Sequence, residues 1–343
     1  MNTKGKPILH QGVHITLGKI FSFWRKKFPS KWLVCEITIG IVLLMVLTTT
    51  KQCPRNTFLG EFGRRIGRHV NRIHGSDIHD ADVIWLQHIF LPHSNYLENH
   101  RRVLKSLARY HDNLCIVVRF MGWALTDDLW NKWREMYDKY RLPYWEEPIR
   151  MYTNFGQAYA FRYMSEKPLE CRFVATAGSD VALDSFGLAE ALAALEKVQG
   201  HVLGLSLRPD SFHVMDWFEA DPEIGLARVP YKGGMAGGIT FFQEDAYRKV
   251  DGYTVRGVYG PDDGDILLNA FLSGYSAYIS LYVYGHHTVG DTKADPAWMD
   301  WKRRSMSFAL SHNKTILTEA ELLPWALESH AIFRKWGNEE DSQ

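Results

Sequence analysis

The order of apolar and amphipathic segments predicts an α/β domain built around a mostly parallel sheet. From Ile78 onward, short apolar runs alternate with longer amphipathic ones, the pattern of chains in which a helix follows each strand. The run Leu114 to Phe120 is the strongest strand candidate, because it is mostly apolar and contains two adjacent valines. The amphipathic segment that follows it begins at Thr126, a residue type that commonly caps helices.

The remaining elements follow in the same alternating order. Strands are predicted at 83–86, 114–120, 172–177, 202–207, 239–242 and 277–284. Helices are predicted at 94–110, 126–140, 154–165, 185–198 and 262–272, and from Trp298 onward. Residues 208–235 contain three prolines and a Gly-Gly pair. Because ordinary connections are shorter, this stretch is predicted to form an irregular functional loop.

The composition is that of a globular protein with a large core. The chain has 343 residues, of which 46% are hydrophobic and 23% are charged. Its formal net charge of +1 does not predict a polyanionic partner, so we expect no binding to nucleic acid. The four cysteines are widely spaced and form no CxxC pair, which argues against a zinc knuckle or a dense disulfide framework.

The N-terminal region has the pattern of a membrane anchor. Residues 1–31 carry seven basic side chains and no acid, and residues 32–50 are apolar apart from Glu36. About twenty helical residues cross a bilayer core, so we expect an uncleaved anchor at 32–50; the alternative is a buried core segment. Basic residues flank the run on both sides and leave the compartment open. A stem at 51–77, an α/β domain at 78–335 and a polar tail at 336–343 complete the chain.

Carboxylates follow one of the predicted strands. Asp180 stands directly after the strand at 172–177, and Asp184 comes four residues later, just before the helix predicted from Ser185. Ligand sites of open α/β sheets lie at the carboxyl ends of strands, which makes Asp180 a candidate site residue. An aspartate that stabilises a turn or caps a helix fits this local pattern equally well.

Two further clusters carry ionisable groups. Asp262, Asp263 and Asp265 lie at the start of the apolar helix predicted at 262–272, where they repel one another unless a cation, a donor or solvent relieves them. The pair His286 and His287 lies at the end of the strand predicted at 277–284. Carboxylates and imidazoles are metal ligands, so the pair is a candidate contact for a metal or a diphosphate.

The motifs around these clusters resemble the inverting GT-A glycosyltransferases, in particular family 2 and the β-1,4-galactosyltransferase-like family. The pentapeptide Asn154 to Ala158 resembles their N-x-G-x-A helix motif, and Ser179-Asp180-Val181 stands at the place of their Asp-x-Asp motif. The other similar segments are Pro230 to Gly234, Gly237 to Tyr253, and Gly260 to Tyr275, which is similar to their Gly-Gly-Glu-Asp-x-Asp segment. The resemblance covers about residues 112–291.

The resemblance implies a GT-A fold and an enzyme that transfers a sugar from a nucleotide-diphosphate sugar, most often a UDP-sugar, with inversion. It implies that Asp263 is the general base and that Asp262 contacts the acceptor. The residues that it implies for binding the donor are Arg119, Gly156, Asp180 and Gly234. Tyr231 and Asp265 would bind the acceptor, which is a glycan, a lipid or a protein. Asp180, Asp184, His286 and His287 would hold Mn²⁺ or Mg²⁺.

The sequence departs from the family pattern at Ala182, where the second Asp of the Asp-x-Asp pair is expected. Metal binding then requires compensation by Asp184 or a histidine, and the alternative is a catalytically degenerate, membrane-anchored carbohydrate-binding or scaffold protein. A nucleotidyltransferase would need a Gly-rich loop that residues 119–123 do not supply. A glycosidase would need two carboxylates across a cleft, whereas Glu146 and Glu147 are adjacent.

Overall fold

The computed structural model describes residues 81–110, 114–208, 219–230, 238–287, 295–312 and 316–340. The predicted segments at 1–31, 32–50 and 51–77, as well as Tyr231 and Gly234, lie outside the described residues. Within the described part of the chain, none of the helices combines the length and apolar character needed to cross a membrane.

Strands and helices alternate along most of the described chain. The strands are β1 (Ala81–Leu91), β2 (Ile116–Ala124), β3 (Ile149–Met151), β4 (Cys171–Ala177), β5 (Val181–Leu183), β6 (Val202–Arg208), β7 (Glu219–Asp221), β8 (Leu226–Val229), β9 (Ile239–Gln243) and β10 (Ala277–His287). The helices are α1 (Tyr96–Arg109), α2 (Asp127–Tyr140), α3 (Gln157–Ser165), α4 (Leu188–Lys197), α5 (Glu244–Lys249), α6 (Asp262–Leu272), α7 (Pro296–Ser311) and α8 (Glu319–Glu340).

The strands form a single mixed sheet in the order β3-β2-β1-β4-β9-β6-β10-β8-β7, and β5 pairs with β10 outside this order. Strands β3, β2, β1 and β4 are mutually parallel. Strand β9 is antiparallel to both β4 and β6, so β6 and β10 run in the same direction as β4. The expectation of a mostly parallel central sheet flanked by helices is therefore confirmed.

Each face of the sheet is covered by helices, which gives two hydrophobic layers. Alternation along β1 sends Trp85 into one layer, together with residues of α1, α2 and α4. The same alternation sends Ile84 and Leu86 into the other layer, with residues of α3, α6, α7 and α8. Every residue of β2 is buried, as expected for a parallel strand covered on both faces.

Strands β1 and β2 extend beyond the end of β4. The last β4 residue, Ala177, is level with Gln87, whereas β1 continues to Leu91. The extension carries Phe90 and β2 carries Trp123, with ring centroids 5.8 Å apart. Phe333 of α8 packs 5.5 Å from Phe90 and 5.9 Å from Trp123. The C-terminal helix is therefore part of the core at this end of the sheet.

The structure differs from the predicted elements mainly in its short strands. Strand β5 was not predicted, and α4 begins at Leu188 rather than near Ser185, because Val181–Leu183 pairs with β10 instead of leading into the helix. Strands β7 and β8 lie in the stretch expected to be irregular. Strands of three or four residues show no clear periodicity, so partner strands rather than local sequence determine them.

We expect Gly122→Ala to destabilise the fold by at least about 1–3 kcal/mol, the usual cost of overpacking a core. A Cβ at this position of β2 would lie 1.9 Å from the carbonyl oxygen of Ile89 on the neighbouring strand. Gly264→Ala is the control, because a Cβ at that helical position meets no atom within 4 Å. Urea unfolding compares the two variants, and equal stability of Gly122→Ala and wild type would contradict the packing described for β1 and β2.

Candidate active site

The turn after β4 brings Asp180 beside His287. The chain leaves β4 at Ala177, turns, and enters β5, which pairs antiparallel with the end of β10 so that Val181 is opposite His287. This register places the His287 Nε2 atom 3.0 Å from the Asp180 Oδ2 atom, within hydrogen-bond distance. The His287 side chain is 25% exposed and that of Asp180 is 40% exposed, so both are accessible to a ligand.

The two neighbouring candidates do not join this pair. Successive residues of a strand point to opposite faces, and His286 is opposite Ala182 in the register, so His286 faces away from the position that His287 occupies. Asp184 is exposed at the other end of β5, where its N–H donates to the Tyr284 carbonyl at 2.9 Å. Four residues of extended chain separate it from Asp180 by roughly 13 Å.

Ala182, the position at which the family pattern has an acid, is buried within β5 and belongs to the hydrophobic layer under α1 and α4. A carboxylate there would lie in the core, where an unpaired charge is strongly unfavourable. The replacement by alanine therefore removes no ligand from the accessible pair of Asp180 and His287.

Asp263 is linked to the end of β4 by hydrogen bonds. It lies in the first turn of α6, where its Oδ1 atom is 3.5 Å from the hydroxyl of Tyr253. The Tyr253 hydroxyl also lies 2.9 Å from the Thr176 hydroxyl, in β4. Tyr253 is 1% exposed, so its position is fixed by packing. This chain of hydroxyl groups connects Asp263 to the strand that leads to Asp180.

Burial raises the pKa of Asp263 to about 6; the hydrogen bond from Tyr253 opposes this shift and the charge of Asp180 adds to it. The pKa of Asp262 is raised well above its usual value by burial and by the charges of Asp263 and Asp265. Burial is the first cause of the raised pKa in both carboxyls.

Asp265 is used to hold the loop before α6. Its Oδ2 atom accepts hydrogen bonds from the Thr254 hydroxyl and the Arg256 guanidinium, each at 3.1 Å. Arg256 also donates to the His312 carbonyl at 2.8 Å. The acceptor-binding role expected for Asp265 is replaced here by contacts that position the first turn of α6.

Gly156 places the N-terminus of α3 at the same edge of the sheet. Its φ of 92° lies in the region that favours glycine, and a Cβ would fall 2.1 Å from the Val258 carbonyl oxygen. The next residue, Gln157, has its Oε1 atom close to Gly178 in the turn that carries Asp180. Free N–H groups and the helix dipole favour an anion here, so this terminus suits a diphosphate.

Arg119 lies in the middle of β2 and is 7% exposed. Its Nε atom donates to Glu146 Oε1 at 2.8 Å, and its other nitrogens donate to the carbonyls of Met164, Lys167 and Pro168 at the end of α3. These contacts use the guanidinium to cap the negative end of the helix. The structure therefore does not bring Arg119 to Asp180, contrary to the expected place beside the nucleotide.

Two polar residues of β1 were missed by the sequence reasoning. Gln87 donates from Nε2 to the Gly178 carbonyl at 2.8 Å and holds the turn that leads to Asp180. Burial, together with the nearby His100, lowers the pKa of His88 to about 3, and the charge of Asp180 opposes this shift. The signal was present in the sequence, because Gln87 and His88 interrupt the otherwise apolar run from Val83 to Leu91.

The donor set of Asp180 and His287 fits a divalent cation of the Mn²⁺ type, which accepts carboxylate and imidazole ligands. Among the described residues, no group of three or more His, Cys, Asp or Glu side chains is arranged to hold a metal ion. A cation bound by this pair would therefore take its other ligands from the substrate or from water.

The sequence matches neither a protein-family model nor a curated protein. Among solved structures, the mannosyltransferase PcManGT from Pyrobaculum calidifontis, in complex with GDP-Man and Mn²⁺, has a TM-score of 0.50 at 14% identity, and the match covers 80% of this chain and 81% of that one. The chain has a GT-A fold. This agrees with the fold that the sequence motifs predict.

Two further solved structures are similar at lower scores. S. aureus TarS 1-349 has a TM-score of 0.46 at 15% identity, covering 70% of this chain and 68% of that one. GalNAc-T7 with UDP, GalNAc and Mn²⁺ has a TM-score of 0.48 at 11% identity, covering 60% of this chain and 43% of that one.

We expect Arg119→Ala to lower the free energy of unfolding by about 3 kcal/mol, because Glu146 and three carbonyls lose their donor in a buried site. The control is Arg101→Ala, which removes an exposed pair with Glu98 and should cost less than about 1 kcal/mol. Urea unfolding measures both. If Arg119→Ala kept wild-type stability and lost nucleotide binding alone, Arg119 would be a donor ligand and the structural role would be wrong.

We expect Asp263→Asn to raise the free energy of unfolding at pH 8 but not at pH 4. The folded pKa of about 6 lies above the usual 3.8, so the contribution of Asp263 to stability is present at low pH and is lost as pH rises through about 6. Asparagine carries no charge at either pH, so the free energy of unfolding of the variant does not fall in this way as pH rises. Unfolding in urea with EDTA at both pH values measures the effect, with exposed Asp184→Asn as control. A variant no more stable than wild type at pH 8 would contradict the burial of the charge.

Proposed function

We propose that this chain is a glycosyltransferase that moves a sugar from a nucleotide-diphosphate sugar to an acceptor hydroxyl, with Asp263 as general base. The observation that supports the proposal is that Asp263 is linked by hydrogen bonds to β4, the strand that leads to the Asp180–His287 pair. The Asp180–His287 pair lies at the end of β4 and β10, and Asp263 is joined to β4 through Tyr253 and Thr176.

The diphosphate of the donor is the group that this edge suits best. The N-terminus of α3 offers N–H groups and a favourable dipole beside the turn at Gly178. Asp180 and His287 would hold a divalent cation, which would neutralise the charge that develops on the departing diphosphate. The PcManGT complex contains GDP-Man and Mn²⁺, which is consistent with this class of donor and cation.

Asp263 suits the role of general base. With a pKa of about 6 it is ionised at neutral pH, yet it is more basic than an ordinary carboxylate. In the proposed step the acceptor oxygen attacks the anomeric carbon, and the bond from that carbon to the diphosphate oxygen breaks. The bonding electrons leave with the diphosphate, and the hydroxyl proton passes to Asp263. Attack on the face opposite the leaving group inverts the anomeric configuration.

Asp262 would assist by binding the acceptor. Its raised pKa favours the protonated carboxyl, which can donate a hydrogen bond to an acceptor oxygen. Sharing one negative charge between Asp262 and Asp263 also avoids two adjacent carboxylates in a poorly solvated site. We also propose that the donor is a UDP-sugar and that the acceptor is a glycan, a lipid or a protein. Residues 32–50 would attach the chain to a membrane.

The first test is turnover of a panel of UDP- and GDP-sugars with Mn²⁺, measured as release of nucleoside diphosphate. Asp263→Asn should reduce kcat by about 10²–10⁴-fold, the usual contribution of a general base, and leave donor affinity unchanged. Asp180→Asn should weaken donor binding, whereas Asp184→Asn should change neither quantity. Equal turnover by Asp263→Asn would rule out this base, and donor binding without release by wild type would favour the carbohydrate-binding alternative.

The pH dependence of turnover gives a second test. Because the base must be ionised, kcat should rise with pH through about 6 and then level off. The acidic limb of the pH profile should be missing from the residual activity of Asp263→Asn. An acidic limb near pH 4, typical of an unperturbed carboxyl, would contradict the raised pKa.

A further inference from the structure

A groove of about 560 Å³ lies between β3, α3 and the start of α8. Its volume is within the range of small-molecule sites in proteins, about 300–1,000 Å³. The residues that line it take no part in the proposed transfer. Four of the lining side chains are aromatic, namely Tyr152, Phe155, Tyr159 and Tyr163.

Two of these rings, Tyr159 and Tyr163, lie on one face of α3, and Phe155, which precedes the helix, extends them into a ladder. Phe155 and Tyr159 have centroids 5.1 Å apart, and Tyr159 and Tyr163 are stacked with centroids 6.4 Å apart. Spacing by four residues places side chains on the same helix face. Tyr163 is 43% exposed, and Tyr152 on the neighbouring edge of the sheet is 81% exposed. Tyr152 and Tyr163 therefore present their rings to solvent, whereas Phe155 and Tyr159 are partly buried against the core.

The charged groups that line the groove are one cation, Arg150, and one anion, Glu319. The Tyr159 hydroxyl donates to the Glu319 carboxylate at the start of α8. The Arg150 guanidinium lies 5.0 Å from the Tyr152 ring and pairs with Asp127 at 2.6 Å. Its buried Nε atom has no hydrogen-bond partner among the described residues. Because the lining has no net charge, it suits a neutral polar ligand better than a polyanion or a phosphate.

We propose that this groove binds a saccharide chain. A pyranose ring has an apolar C–H face that packs on an aromatic ring, and hydroxyls that match tyrosine, guanidinium and carboxylate groups. The ladder begins at Phe155, directly before Gly156, which places the N-terminus of α3 at the proposed active site. A sugar chain on the ladder would lead towards that site. Its assignment as the acceptor rests on the proposed function, whereas binding of the saccharide does not.

The test is saturation-transfer NMR on the full chain in detergent. The probes are tetrasaccharides of β-1,4-glucose, β-1,4-N-acetylglucosamine and α-1,2-mannose. At least one should receive saturation from tyrosine ring protons, and its affinity should fall about tenfold in Tyr152→Ala/Tyr163→Ala, the combined loss of two ring contacts. No signal from any probe, or full affinity in the double variant, would overturn the proposal.

Two control variants show whether a change in saccharide binding is specific to the groove. Tyr282→Ala removes another tyrosine, 59% exposed on β10, and should leave saccharide binding unchanged. Asp263→Asn should also keep saccharide binding. Saccharide binding by a wild-type chain that transfers no sugar would refute only the proposed function. Binding of a peptide of residues 32–50 to the groove, with no saccharide binding, would overturn the proposal in favour of an occupant from this chain.

Discussion

The antiparallel pairing of β5 with the end of β10 is the interaction on which the candidate site depends. It places Val181 opposite His287, and this register brings the Asp180 carboxylate within hydrogen-bond distance of the imidazole. The turn before β5 is fixed from the other side by Gln87, which donates to the Gly178 carbonyl. A shift of one residue would exchange His287 for His286 and turn the His287 imidazole to the opposite face.

The start of α6 shows how the fold tolerates three neighbouring acids. Asp265 is neutralised by Arg256, and Asp263 accepts a hydrogen bond from Tyr253. The pKa of Asp262 is raised above the ordinary aspartate value, which favours its uncharged form. The apolar side of the helix, which includes Ile266, is buried in the core and anchors the turn. The buried face of the helix thus offsets the charge repulsion that remains at its start.

Much of the fold could be predicted from the sequence, because the longer elements carry clear signals. The apolar run of β2 and the Thr126 cap of α2 are examples, and the Thr126 hydroxyl accepts from the Leu129 N–H as expected. Strand β5 could not be predicted, since three residues show no period. Its pairing distinguishes His287 from His286 and separates Asp184 from Asp180.

The predicted site as a whole stays a prediction. Asp180 and His287, distant along the chain, lie within hydrogen-bond distance, and Asp263 is linked through Tyr253 to Thr176 of β4. Arg119 was misplaced because the predicted strand ended at Phe120, whereas β2 continues to Ala124 and leaves the arginine in mid-strand. Its guanidinium then meets the carbonyls at the end of α3. Such a contact depends on tertiary packing and has no local signature.

A crystal structure of the full chain with Mn²⁺ and either UDP or GDP tests the central claim most directly. The anomalous signal of manganese locates the ion without reference to the protein atoms. We expect one ion coordinated by Asp180, His287 and the diphosphate, with the Asp263 carboxylate facing the same cleft. Nucleotide and ion bound elsewhere, or Asp180 and Asp263 on separate surfaces, would contradict it.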